Sequence, residues 1–221
     1  ERCGGPAISL TTANNFSNDC GPHASIDNLT CTYIEGNGIT LSGCKNVKIS
    51  NCDLATCGVA VSSLAAGANF SDFWGSSFIA STTTYNTTSD GINLDYLCER
   101  ISIEDNTIML CGRSGIYAGT ASLAGPNYSS ITNNKIVSNS QSSSGSAGIR
   151  ISGSSITGLS LQGNTCYTDD IMSNPSYQIY GIYAAATLSN SIILGNITKD
   201  SNFTDGLYYG TYTGVIANNV E

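Results

Sequence analysis

Charge is what this chain has least of. Only 11% of its 221 residues are Asp, Glu, Lys or Arg, against about 25% in ordinary soluble domains. Acids outnumber bases 16 to 8, which leaves a net charge of −8 and a pI near 4.4. No basic stripe is present, so nucleic acid is excluded as a partner. Histidine is almost missing as well: His23 stands alone, and no Cys-x-x-Cys pair occurs. A zinc site therefore lacks its usual donors, and no metal or cofactor is expected. No apolar run approaches the roughly 18 residues of a membrane-spanning helix. The sequence opens on Glu1 rather than Met and carries no signal peptide, which suggests a mature or trimmed product.

What the chain does contain is repetition. A glycine followed by an alternating apolar strand recurs at Gly38-Ile39-Thr40-Leu41, Gly58-Val59-Ala60-Val61, Gly91-Ile92-Asn93-Leu94, Gly115-Ile116-Tyr117-Ala118, Gly148-Ile149-Arg150-Ile151, Gly181-Ile182-Tyr183-Ala184 and Gly206-Leu207-Tyr208-Tyr209. A second strand follows each of most of them and ends on Asn: Val47 to Asn51, Ile101 to Asn106, Ile131 to Asn134, Leu159 to Asn164, Ile192 to Asn196 and Val215 to Asn219. The stretch Phe73 to Phe78 fits the same slot with Ser76 in place of Asn. Period-two alternation argues strand rather than helix. Small residues and Asn after the strand tolerate the left-handed backbone of a sharp corner. Asparagines stacked at successive corners can hydrogen-bond one another in a ladder.

Two or three short strands per turn of about 20 to 33 residues describe a coiled solenoid, each coil burying its apolar face against its neighbours. The expected fold class is all-β: a right-handed parallel β-helix solenoid of about 7–8 coils with inserted loops. Residues 26–221 form that domain, preceded by a polar, Cys-containing segment over 1–25. The run Gly38 to Cys52 is its most typical stretch, and on these residues the chain resembles the pectate-lyase-like superfamily of right-handed parallel β-helices. That superfamily includes lyases, hydrolases, epimerases, tailspikes, adhesins and surface-layer proteins, so the resemblance implies a fold more firmly than an activity.

Lyases of this fold use a basic residue and calcium-binding acids; its hydrolases use several aspartates on adjacent coils. If the resemblance extended to catalysis, the candidates would be Asp90, Asp95, Asp169, Asp170 and Asp205, with Arg113 and Arg150 as the basic groups. Asp169-Asp170 is similar to the paired aspartates of polygalacturonase-like hydrolases. The accompanying Gly-His-Gly and Arg-x-Lys segments are missing, as is the Tyr-Gly-Phe-Asp-Pro-His pattern of mannuronan epimerases. Asp90-Gly91 and Asp205-Gly206 also fit a purely structural role, shaping the turn before a strand. No catalytic residue is therefore the leading expectation.

Nine cysteines point to an oxidising, extracellular compartment. Cys3, Cys20, Cys31, Cys44, Cys52, Cys57, Cys98 and Cys111 lie in the first half and are the disulfide candidates. Cys44 with Cys57 and Cys98 with Cys111 hold equivalent positions in their coils and are candidate within-coil staples. Connectivity stays open, and packing as small hydrophobes is the alternative. Cys166, alone in the second half, is expected to be free or bonded to another chain. Seven Asn-x-Ser/Thr sequons occur, close to the number chance would give. Asn69, Asn86, Asn127 and Asn202 fall in expected loops and are the better glycosylation candidates, while Asn196 occupies a corner slot.

In each Gly-Ile-x-Leu strand the residue between the two apolar ones faces out. The outward row reads Thr40, Ala60, Asn93, Tyr117, Arg150, Tyr183, Tyr208. Tyr117, Arg150, Tyr183 and Tyr208 would form a polar-aromatic strip suited to an ordinary β-surface, a subunit interface or a sugar groove. The last residues, Val215 to Glu221, still follow a coil pattern, so either the biological chain is longer or neighbouring subunits cover the ends. Together these features lead to the expectation of an extracellular structural subunit that self-associates into a surface layer, sheath or fibre. A polysaccharide-active enzyme or tailspike-like binder using the Tyr117–Arg150–Tyr183 strip is the alternative.

Overall fold

The computed structural model describes residues 8–11, 24–34, 36–57, 89–95, 98–119, 126–140, 146–168, 178–199 and 205–219, and among them every regular element is a strand. The strands, numbered in chain order, form three sheets. The first contains β1 (Ile8–Thr11), β4 (Ile39–Ser42), β7 (Ile92–Asp95), β10 (Ile116–Ala118), β13 (Ser146–Ile151), β17 (Gln178–Ala184) and β20 (Asp205–Tyr209), stacked in that order. The second contains β2 (Ala24–Asp27), β5 (Val47–Ser50), β8 (Ser102–Glu104), β11 (Ser130–Thr132), β15 (Ser160–Gln162) and β18 (Thr187–Leu194). Both β14 (Ser155–Thr157) and β21 (Tyr212–Ala217) also pair with β18. The third contains β3 (Thr30–Ile34), β6 (Asp53–Cys57), β9 (Thr107–Met109), β12 (Lys135–Val137), β16 (Thr165–Tyr167) and β19 (Ile197–Lys199). Each strand pairs in parallel with its counterpart one coil away, as in Ile92↔Ile116, Ile103↔Ile131 and Ile108↔Ile136. This is a parallel β-helix.

One boundary differs from expectation. Ile8–Thr11 pairs with Ile39–Ser42 as a full rung, so the coils begin inside the segment expected to precede them. That strand alternates like the others but lacks the leading glycine that marks them. Ile39 pairs directly with Ile92 and Thr40 with Asn93, so β4 and β7 are consecutive rungs of the first sheet. Residues 58–61 and the Phe73–Phe78 stretch lie outside the described residues.

The core is a set of columns running along the axis. Ile39, Ile92, Ile116, Ile149 and Ile182 stack behind the first sheet, and Ile49, Ile103, Ile131, Leu161 and Ile193 behind the second, all fully buried. Leu54, Ile108, Ile136 and Cys166 continue the third. Each such side chain contributes roughly 1.5–3 kcal/mol by leaving water, but only because the neighbouring coils cover it. The recurrent glycine has a steric cause. A Cβ at Gly38 would lie 2.5 Å from the Gly91 carbonyl oxygen, and one at Gly91 would lie 2.6 Å from that of Gly115. The coils approach too closely there for any side chain.

The corner between second and third sheets uses two residues. The first takes a left-handed backbone: Asn51 (φ 51°), Asp105 (55°), Asn133 (55°), Gly163 (63°), Gly195 (63°) and Asn218 (52°). The next turns inward: Cys52, Asn106, Asn134, Asn164, Asn196 and Asn219. Asn106 Nδ2 donates to Asn134 Oδ1 (2.9 Å), Asn134 Nδ2 to Asn164 Oδ1 (3.0 Å), Asn164 Nδ2 to Asn196 Oδ1 (2.9 Å) and Asn196 Nδ2 to Asn219 Oδ1 (3.0 Å). Each Oδ1 also accepts a backbone N–H from the preceding coil, beginning with Cys52 N to Asn106 Oδ1 at 2.9 Å. The ladder thus satisfies buried backbone groups that a chain turning sharply would otherwise orphan. A second, mixed ladder joins Cys111 N to Asn139 Oδ1 and Asn139 N to Gln178 Oε1.

Six of the described cysteines, Cys44, Cys52, Cys57, Cys98, Cys111 and Cys166, line the interior. Cys57 and Cys111 are free and fully buried, so neither expected within-coil pair, Cys44–Cys57 or Cys98–Cys111, is formed. Equivalent positions in a parallel solenoid stack along the axis; they do not face one another across a coil. Cys44 donates to Leu10 O and Cys98 to Leu41 O, each reaching one coil back. Cys52 is a free thiol that donates to Ser50 O at 3.1 Å. Cys166 is free and wholly enclosed, and burial pushes its thiol well above the ordinary range. As folded, it is out of reach of another chain. Cys31 is half-buried, and Cys3 and Cys20 lie outside the described residues.

Candidate functional site

The outer face of the first sheet carries the chain's most concentrated polar and aromatic chemistry. Registers place Thr40, Asn93, Tyr117, Arg150, Tyr183 and Tyr208 in one row. Alternation aims Thr40, Asn93, Tyr117, Arg150 and Tyr183 outward while their neighbours on either side go to the core. Ala60 lies outside the described residues.

Along this face the side chains pack on one another. The Arg113 guanidinium lies over the Tyr117 ring, 4.3 Å from its centroid, and that of Arg150 lies over Tyr183 at 5.6 Å. Cation–π contacts of this kind contribute about 0.5–1 kcal/mol at exposed sites. Tyr180 tilts against Tyr183 with centroids 4.9 Å apart. Ser152 Oγ donates to Tyr117 Oη at 2.9 Å. Two buried polar atoms in the row have no partner: Asn93 Oδ1 and Arg150 Nε.

At the edge of this face, where the chain enters the strands, stands Asp90. It is completely buried. Arg113 grips it with a fork, Nε to Oδ1 at 2.9 Å and Nη2 to Oδ2, and Ser114 N also donates to Oδ1 at 2.9 Å. Asn37 Oδ1 accepts from Asp90 N at 2.8 Å, so Asn37 and Asp90 each cap a backbone N–H one coil further on. Burial raises the Asp90 pKa, with Arg113 acting against that shift. A carboxylate enclosed in this way and bonded through both oxygens cannot reach a substrate proton. Its ladder role went unseen in the sequence because its partners sit 23 and 24 residues away.

Of the other expected acids, Asp95 closes β7 in register with Ser42 and Asp205 opens β20 opposite Tyr180. Asp169 and Asp170 lie outside the described residues, as do His23, Asn69, Asn86 and Asn202. The structure therefore brings together Asp90 and Arg113, with Tyr117, Arg150 and Tyr183 beside them. Asn127 sits at a corner, not in an inserted loop, and its Oδ1 caps Thr157 N at 2.8 Å. Asn196 belongs to the inner ladder. Among the described residues, no three His, Cys, Asp or Glu side chains gather as a metal-binding set, and no helix is long and apolar enough to cross a membrane.

Three parallel sheets, inward ladders and an outward row together define a parallel β-helix solenoid. The right handed beta helix region model matches residues 1–166, and the chain belongs to that family. No curated protein and no solved structure matches the chain.

Proposed function

We propose that this β-helix is a non-catalytic structural subunit of an extracellular assembly, a surface layer, sheath or fibre built by self-association. The observation that carries this reading is the enclosure of Asp90, the acid nearest the polar-aromatic face. It is hydrogen-bonded through both oxygens to Arg113 and Ser114, so it acts as a joint between coils. Arg113 and Arg150, the basic groups a lyase would need, lie against Tyr117 and Tyr183. The low surface charge and the hydrogen-bonded interior fit a stiff, poorly hydrated wall unit. The test is electron microscopy of the purified chain over a range of concentration. Ordered fibres, tubes or sheets are expected; dispersed single rods throughout would overturn the proposal.

A second reading, a polysaccharide-binding face, is favoured by one specific observation. Tyr117, Arg150 and Tyr183 stand partly exposed on consecutive rungs of one row, two rings and a guanidinium of the kind on which sugars stack. A glycan panel read by binding, with Arg150→Ala as the control, separates the two. Binding lost in the variant supports the sugar face, and no binding by the parent chain removes it.

A further inference from the structure

Two fully buried thiols stand in register on adjacent coils. Cys57 closes β6, and the register Asp53↔Thr107, Leu54↔Ile108, Ala55↔Met109 carries on past the strand. Gly112 N donates to Cys57 O at 2.9 Å, which keeps Cys57 level with Cys111. Both sulfurs turn the same way. A Cβ on Gly38 would meet Cys57 Sγ at 3.1 Å, and one on Gly91 would meet Cys111 Sγ at 3.2 Å. Neighbouring rungs lie about 4.8 Å apart, inside the roughly 4.4–6.8 Å Cα separation that a disulfide spans.

We propose that Cys57 and Cys111 are a disulfide-forming pair that staples consecutive coils across the 58–88 segment when the chain folds in the presence of a small disulfide oxidant such as oxidised glutathione. The location of the pair gives the staple a purpose. It lies where the chain leaves one coil at β6 and, after residues 58–88, rebuilds the next at β7 directly on β4. The connection between these two coils, residues 58–88, is longer than those between the other described strands, so a covalent link here closes the longest excursion of the chain between consecutive coils.

The chemistry balances in two exchanges. One cysteine thiolate attacks a sulfur of the oxidant and expels one small thiol, leaving a mixed disulfide. The second cysteine thiolate attacks the protein sulfur of that mixed disulfide and expels the other small thiol. Both cysteine protons leave with the two thiols, and the two electrons lost by the cysteines reduce the oxidant's sulfur–sulfur bond. In the folded reduced chain the contact with Cys111 and burial hold the Cys57 thiol well above its ordinary pKa. Exchange therefore belongs to folding, before the coil closes over the sulfurs.

The test uses the full chain, unfolded and reduced, then refolded with reduced and oxidised glutathione. Remaining thiols are alkylated, and the chain is digested without reduction for mass spectrometry. The expected result is a peptide containing Cys57 joined to one containing Cys111, absent from Cys57→Ala and Cys111→Ala. A Tm about 5 °C above that of the reduced protein should accompany it. Complete alkylation of both cysteines, a link from either to a different cysteine, or a link that leaves the Tm unchanged would overturn the proposal. The parent chain's peptide map decides the matter by itself should a variant fail to fold.

Discussion

Arg113 holds Asp90 from the next coil along, so a fully buried carboxylate and a half-exposed guanidinium tie two turns of the helix at the edge of the polar-aromatic face. Removing one partner strands the other. A folded pKa raised above the unfolded one means the folded chain takes up this proton first as pH falls, so the group's contribution declines as pH rises through its folded pKa. Arg113→Met removes the opposing charge and accentuates that slope. It is expected to cost about 3 kcal/mol at pH 7 and clearly less near pH 4, where the carboxyl is more protonated. Urea unfolding at both pH values measures it, and equal losses would contradict an uncompensated buried carboxylate.

The two residues of one corner should respond very differently. Asn134 accepts from Asn106 N and Nδ2 and donates to Ile103 O and Asn164 Oδ1. Asn133 next to it is exposed and supplies only a left-handed turn. Asn134→Ala is expected to lose about 3 kcal/mol, since it leaves buried donors and acceptors unmatched. Asn133→Gly is expected to stay within about 0.5 kcal/mol. Similar midpoints for the two variants in denaturant would refute the ladder's importance.

Ile149 stands between Ile116 and Ile182 with no exposed surface. Ile149→Asp buries an unpaired charge and should unfold the middle coils, while Ile149→Val should cost about 1 kcal/mol. Thermal melting followed by circular dichroism checks both. An unchanged Tm for the Asp variant would sink the inward placement of this column.

Gly91 tests the steric account of the repeat. A Cβ there would collide with Ile108 Cγ2 and lie 2.6 Å from Gly115 O. Gly91→Ala is therefore expected to destabilise by about 1–3 kcal/mol through overpacking. A stabilised variant would show that entropy of the unfolded chain outweighs the clash.

Much of the fold was legible because its determinants are local and repeat. Gly-Ile-x-Leu announces the first sheet, since glycine is forced by the close approach of coils and the Ile–Leu alternation by a one-sided core. The glycine is not required on every coil: Ile8–Thr11 forms a rung without it. The corner asparagines were legible as a group, though in the early coil the ladder slot belongs to Cys52, while Asn51 turns the chain and donates its Nδ2 to Asp27 Oδ1. Cysteine partnership was not legible, because equal spacing along the chain places residues in one column, and columns decide contacts. The clasp of Asp90 by Arg113 was hidden for the same reason: it depends on which coil lands on which, and loop length sets that.

The asparagine ladder also gives the molecule an arrow. From Asn106 to Asn196 every amide donates an Nδ2–H to the carboxamide oxygen of the following coil, never the reverse. The side-chain dipoles align head to tail and polarise one another in one sense. A coil inserted upside down would meet donor with donor. A coil added or removed whole would leave the sequence of hydrogen bonds in step. The length of such a rod is therefore adjustable by whole turns, while its two ends present chemically different faces to whatever they abut.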